Sequence, residues 1–294
     1  MRVKKRLAVV MSAVFLLLAG LLYAQTGFLQ GYAIDDKDKA FWQYEDGVVK
    51  NAESFVLQGE SGKCWVMVHG YTSTPDELKI VARAVNDEFD DSVFVPLLYG
   101  HGTVPSNIQK HSVVEWYEQV RALADEKGCR YLLGSSMGAS MVLRYAEEYA
   151  VDGVVLVGLP FALEPTYVPS PVIGNVIAPL VGYLKKDLPG ATVDDPVGRK
   201  AHIATFSFPL KGVAELIDFN VGVQQKLGKV NAPVLFLHAT TDTVANVEGA
   251  HEAFNQMQST KTFVEFAGDH IVFRDYDKQK AVDEVLKFRK IVKS

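Results

Sequence analysis

The stretch Tyr131-Leu132-Leu133-Gly134-Ser135-Ser136-Met137-Gly138-Ala139 decides how the rest of the chain reads. A short apolar run ends at a glycine, a serine follows two residues later, and a second glycine stands two residues beyond it, where helical spacing of apolar residues begins (139–149). Small residues two before and two after a serine permit a sharp strand-to-helix turn in which side chains would otherwise collide. The register puts Ser136 at the apex and leaves Ser135 and Ser140 off it. A Gly-x-Ser-x-Gly string alone is common in loops; the strand before it and the helix after it make Ser136 a candidate nucleophile.

Outward from this turn, short apolar runs alternate with amphipathic stretches, the pattern of βα units around a mainly parallel sheet. The runs are Trp65 to Val68, Val93 to Leu97, Tyr131 to Leu133, Val154 to Val157, Val234 to Leu237 and Thr262 to Phe266. An additional strand, with antiparallel pairing open to it, is read at Ser54 to Leu57. Helices are predicted at Val113 to Glu126, Ala139 to Tyr149, Val247 to Met257 and Asp277 to Ile291. Thr74-Pro75-Asp76-Glu77 reads as a capping box opening a further helix through about Glu88. The alternation breaks at about 160–230, a stretch rich in Pro, Gly and apolar residues that is read as a lid insertion.

A serine hydroxyl is a weak nucleophile at its ordinary pKa, so it needs a base to take its proton and an acid to orient that base. In a strand-turn-helix setting these follow in the order Ser, Asp or Glu, His, each just past a C-terminal strand. Val234 to Leu237 leads to Asp242, and Thr262 to Phe266 leads to His270. Asp269, next to His270, is the competing acid, but its side chain is expected to point elsewhere. A developing oxyanion needs two N–H donors, assigned to Met137 and to Tyr71 in His69-Gly70-Tyr71-Thr72, with His69 expected to bond backbone. His238 is read as structural, His111, His202 and His251 as solvated or structural, and none stands in a zinc-binding spacing.

The chain has 294 residues, 48% of them hydrophobic, which suits one catalytic unit with an insertion. Lys and Arg number 30 against 35 acidic residues, and setting aside Arg2, Lys4, Lys5 and Arg6 leaves 26 against 35, or −9, which argues against a nucleic-acid partner. The basic start precedes an uncharged apolar run from Leu7 to Ala24, read as a membrane anchor or a cleaved signal peptide. Leu22-Tyr23-Ala24 is a poor cleavage site, which favours a retained anchor. Either way residues beyond 24 are expected outside the cytoplasm. Residues 25–50 are read as a spacer and 51–294 as the catalytic domain.

With these residues in place the chain resembles the serine α/β-hydrolases, within them the bacterial carboxylesterase and monoacylglycerol lipase group, from about Ser54 to Ile291. The resemblance rests on His69-Gly70-Tyr71-Thr72, Pro96-Leu97-Leu98-Tyr99-Gly100-His101-Gly102, Gly134-Ser135-Ser136-Met137-Gly138, Pro209-Leu210-Lys211-Gly212, Ala232-Pro233-Val234 and Gly268-Asp269-His270-Ile271-Val272. Tyr71 stands where that family commonly has Phe, and Asp269 where it has a small residue. The resemblance implies an α/β-hydrolase fold and two-step hydrolysis of a small acyl ester or lipid, without metal or organic cofactor. It also gives His101 a supporting place near the site, a structural loop histidine being the equal alternative. It implies an apolar acyl tunnel, for which Phe161, Val172, Ile173, Val176, Ile177, Leu180 and Val181 are suited, although they suit the lid's own core as well. In this fold the strands begun by Cys64 and Cys129 are neighbours, so a disulfide and two buried thiols both stand. Thioesterase and acyltransferase chemistry share the scaffold, and a membrane-tethered binding protein without catalysis is the alternative of a different class. Oligomeric state is not legible.

Overall fold

The computed structural model describes residues 34–164, 172, 177–178 and 181–292. Helix α1 (Asp36–Phe41) and a small hairpin of β1 (Tyr44–Glu45) and β2 (Val48–Val49) come first, then strands β3 (Phe55–Leu57) and β4 (Cys64–Val68). There follow α2 (Lys79–Phe89), β5 (Ser92–Val95), α3 (Val113–Lys127), β6 (Tyr131–Ser135), α4 (Met137–Glu148) and β7 (Gly153–Val157). Between β7 and β10 the lid carries β8 (Tyr183–Lys185), α5 (Pro196–Ala201), β9 (Ser207–Pro209) and α6 (Leu210–Gln224). The chain closes with β10 (Val234–Ala239), α7 (Val247–Gln256), β11 (Lys261–Phe266) and α8 (Lys278–Ile291).

The central sheet has seven strands in the order β11-β10-β7-β6-β4-β5-β3, all parallel except β3, which runs antiparallel to β5. Side chains alternate across a strand. Val66, Val68, Leu132, Val154, Leu156, Val234 and Phe236 therefore pack on one face with Trp116, Val120 and Met141. Trp65, Met67, Tyr131, Leu133, Val155, Val157, Leu235 and Leu237 pack on the other with Val81, Val85, Val282 and Val285. Both faces being covered, β6 and β7 are buried along their whole length, which is why they read as unbroken apolar runs.

Two expectations are corrected. Residues 25–50 are not a plain spacer in their described part: Asp38 is buried and its Oδ1 accepts from Phe206 N at 3.0 Å, while Trp42 Nε1 donates to Ala204 O at 3.1 Å, so α1 is keyed to the lid. Thr74 forms no capping box; Pro75–Leu78 is a 3₁₀ turn leading into α2, and the Thr74 hydroxyl donates to Ile203 O at 3.2 Å. Glu77 turns away because buried donors elsewhere need it. A capping box does form at Ser112 and Glu115, opening α3.

Cys64 and Cys129 form a disulfide, with Cα atoms 4.9 Å apart. It follows from the pairing of β4 with β6, which sets Trp65 beside Tyr131. The apolar run Leu7 to Ala24 lies outside the described residues, and among those described no helix is long and apolar enough to cross a membrane.

Candidate active site

Ser136 sits at the turn between β6 and α4 with φ 52° and ψ −118°, a left-handed conformation that costs a non-glycine residue on the order of 1–3 kcal/mol. Its N–H donates to Val157 O at 2.7 Å, which pins the turn to the neighbouring strand. The flanking glycines are required by close approach. A Cβ on Gly134 would lie 2.2 Å from the Gly138 carbonyl, and one on Gly138 would lie 2.2 Å from Val68 O.

Two strands bring the loops of an acid and a base to this turn. His270, past β11, places Nε2 2.8 Å from Ser136 Oγ and Nδ1 2.7 Å from Asp242 Oδ2, past β10. A neutral imidazole with its proton on Nδ1 satisfies both contacts, with the Ser136 hydroxyl donating to Nε2. The other oxygen of Asp242 accepts from Val244 N at 2.8 Å and Ala245 N at 2.7 Å, which fixes the carboxylate plane. His238 Nε2 bonds Ala245 O at 3.0 Å, and burial lowers its pKa, leaving a neutral strut.

Burial pulls the His270 pKa down, but Asp242, with Asp269 and Glu77 beyond it, outweighs this and the net shift is upward. For Asp242 burial raises the pKa and His270 outweighs it, so the net shift is downward. This is the pattern of an ionised acid that favours a protonated neighbour.

Asp269 does not compete for the ring. Its carboxylate accepts from Thr243 N at 2.8 Å, from the Thr243 hydroxyl and from His270's own N–H at 2.7 Å, tying the acid loop to the base loop. Asp275, buried, holds this arrangement to the lid: it accepts from Asp269 N at 2.8 Å, Asp194 N at 2.8 Å and Asp195 N at 2.9 Å. Gly158, at φ +55° after β7, floors the imidazole, since a Cβ there would stand 3.0 Å from His270 Cε1.

The loop after β4 faces the serine from the other side, where a Cβ on Gly70 would lie 3.2 Å from Ser136 Cβ. Among the described residues nothing accepts a hydrogen bond from the backbone N–H of Tyr71 or of Met137. Glu77, buried, accepts from Gly70 N at 2.8 Å and from the Ser73 hydroxyl at 2.6 Å, and burial raises its pKa in spite of these bonds. His69 accepts from Leu98 N at 3.2 Å and bonds Gly70 O at 2.9 Å, and burial lowers its pKa to about 4, so it is a neutral brace.

Tyr71 donates its hydroxyl to Pro209 O in the lid at 2.8 Å. His101 is 1% exposed, with its ring against His69, Tyr71 and Trp116, which places it behind the Tyr71 loop rather than on an open wall. Of the residues assigned to a tunnel, Phe161 is half-buried and packs on the core, Val181 is buried, Ile177 is half-buried and Val172 is exposed. Ile173, Val176 and Leu180 lie outside the described residues. A cavity of about 550 Å³ opens at the opposite end of the sheet, lined by Glu147, Tyr149, Asp152 and Pro233 among others, and shares no residue with the Ser136 site. Among the described residues no group of His, Cys, Asp or Glu is arranged to hold a metal ion.

Glu77, Gly158 and Asp275 were not legible as site residues. The spacing of Glu77 matches a local capping box, and Gly158 and Asp275 belong to no motif.

A mainly parallel sheet with a strained serine after β6, a carboxylate after β10 and a histidine after β11 defines the α/β-hydrolase class. The chain belongs to the Hydrolase_4 family, described as serine aminopeptidase, S33, whose pattern matches residues 61–275. No curated protein sequence matches it. Among solved structures, one from the pair LipS and LipT, metagenome-derived lipolytic enzymes, is 22% identical with TM-score 0.72, over 83% of this chain and 99% of its own. A monoacylglycerol lipase from Paleococcus ferrophilus is 22% identical with TM-score 0.70, over 80% of this chain and 96% of its own. A monoglyceride lipase from Saccharomyces cerevisiae, solved with a substrate analogue, is 14% identical with TM-score 0.66, over 90% of this chain and 97% of its own.

Proposed function

We propose that the protein is a serine carboxylic-ester hydrolase acting on small acyl esters or monoacylglycerol-like lipids outside the cytoplasm. The observation that carries this reading is the continuous chain Ser136 Oγ, His270, Asp242, with contacts of 2.8 and 2.7 Å, beside two N–H groups that have no acceptor among the described residues. Ser136 attacks the ester carbonyl while His270 Nε2 takes its proton and Asp242 stabilises the imidazolium. The carbonyl oxygen, becoming an oxyanion, is received by the N–H groups of Tyr71 and Met137, the latter at the N-terminus of α4. His270 returns the proton to the leaving alcohol, then activates water to release the acid. No step calls for a metal or organic cofactor.

The lipolytic structural neighbours support an ester substrate, and the resemblance to carboxylesterases supports it independently. An extracytoplasmic site, with Leu7 to Ala24 as membrane anchor or as a cleaved signal, is supported by the Cys64–Cys129 disulfide, which an oxidising compartment preserves. The family's description favours a parallel assay of aminoacyl amides.

The test treats the full-length protein with a fluorophosphonate, locates the label by peptide mass spectrometry, and assays p-nitrophenyl esters of increasing chain length beside an aminoacyl p-nitroanilide and an acyl thioester. Label on Ser136 and turnover of esters, both abolished in Ser136→Ala, are expected. A folded protein that neither labels nor turns over any of the panel would defeat the proposal in favour of a tethered binding protein. Preference for the anilide would move the reading to a peptidase.

A further inference from the structure

The loop 70–73 is gripped from two sides. Beneath it Glu77 holds the Gly70 N–H and the Ser73 hydroxyl. Above it the lid supplies three bonds, from the Tyr71 hydroxyl to Pro209 O at 2.8 Å, from Thr205 N to Thr72 O at 3.2 Å, and from Lys186 Nζ to Thr72 Oγ1 at 2.7 Å. Thr72 is the residue that needs holding. It is β-branched and stands at φ +63°, a left-handed conformation that costs an L-residue about 1–2 kcal/mol, so the loop relaxes unless its surroundings oppose it.

Lys186 is built for this place. It follows β8, and its own N–H donates to Phe206 O at 2.7 Å, closing the β8–β9 hairpin. Although the residue as a whole is half-buried, its ammonium is turned inward onto Thr72, which is 3% exposed. Burial lowers its pKa to about 8, against the pull of Asp38 and Glu77, so it remains a cation at neutral pH.

We propose that Lys186 is a positioning residue: by fixing the Thr72 hydroxyl it keeps the adjoining Tyr71 N–H aimed at the point beside Ser136 where the oxyanion forms. This rests on the esterase reading above and deepens it, because it makes the oxyanion site complete only while the lid is seated. Lys186 touches no reacting atom, and its effect passes through Thr72.

The test compares full-length wild type, Lys186→Met, Thr72→Val and the double variant, measuring kcat and KM with a p-nitrophenyl ester, the rate of fluorophosphonate labelling, and thermal melting. Removing a whole oxyanion donor costs about 10²–10³ in kcat, so displacing one is expected to lower kcat about ten- to hundredfold in Lys186→Met. KM should stay within about twofold, since ground-state binding does not use the oxyanion donors. Thr72→Val should lose as much, and the double variant no more than either, because both remove the same bond. Wild-type kcat in Lys186→Met, a loss confined to KM, or additive losses in the double variant would overturn the inference. Should Lys186→Met fail to fold, Thr72→Val decides, with wild-type kcat overturning it. A wild type that turns over no ester defeats the esterase reading and this inference with it, whereas turnover with unaltered variants defeats the inference alone.

Discussion

Replacing Gly158 by alanine tests whether the imidazole of His270 is seated as described. The substitution has two costs that separate experimentally. At φ +55° an alanine pays for a left-handed backbone, about 1–2 kcal/mol, which for a domain of this size lowers Tm by roughly 2–8 °C. The new Cβ would also stand 3.0 Å from His270 Cε1 and 3.1 Å from Nδ1, where carbon contacts are ordinarily about 3.5–4.0 Å. The ring must therefore retreat by some tenths of an ångström. It is held at 2.8 Å to Ser136 and 2.7 Å to Asp242, so the retreat lengthens one bond or the other. Since about 1 Å of misplacement costs ~10²-fold, a shift of this size predicts a kcat about five- to tenfold below wild type. The assay is steady-state hydrolysis of a p-nitrophenyl ester alongside a melting curve. A variant that melts lower yet keeps kcat within a factor of two would refute the seating of His270 on Gly158.

Asp242→Ala should cost about 10³–10⁴ in kcat, because His270 loses the partner that holds its tautomer, whereas Asp269→Ala should keep kcat within about tenfold and chiefly lower Tm. Comparable losses of kcat in the two would overturn the assignment of the acid. His270 must be neutral to accept the serine proton, and its pKa is raised, so kcat/KM should fall as pH drops through a value above 6.5. Asp269→Asn removes one of the charges that raise it and should move this limb to lower pH; a move to higher pH would contradict the electrostatics given for the site. The Cys64–Cys129 bridge closes a separation of 65 residues, for which loop entropy predicts about 4 kcal/mol. Melting of the Cys64→Ser/Cys129→Ser variant should come about 8–16 °C below the oxidised protein. An unchanged Tm would mean that the bridge constrains nothing.

The central sheet was legible because its strands report their burial locally. Val66 and Val68 against Trp65 and Met67 are apolar at every position, as a parallel strand covered on both faces demands. The elbow was legible for a similar reason, since Gly134 and Gly138 answer to atoms within a few residues or in the adjoining strand. The order Ser136, Asp242, His270 followed from the positions of strand ends alone.

Where a residue's partner lies outside its own element, local pattern misled or fell silent. Glu77 satisfied the spacing of a capping box, yet the buried Gly70 N–H leaves its carboxylate a better partner than the Thr74 backbone. Asp38 lay in a stretch read as a spacer, because nothing near it in the chain announces that Phe206, 168 residues on, supplies its donor. Choosing Asp242 over Asp269 from the sequence was an expectation about side-chain direction, and only the folded loops show one carboxylate on the ring and the other on Thr243. The sequence by itself determined the sheet, the elbow and the order of the three polar residues, because these depend on alternation and spacing along the chain. The tertiary structure alone decided which atoms face the imidazole and what holds the Tyr71 loop, because those contacts join separate loops, 28 residues apart for Asp242 and His270, 134 for Ser136 and His270, and 138 for Tyr71 and Pro209.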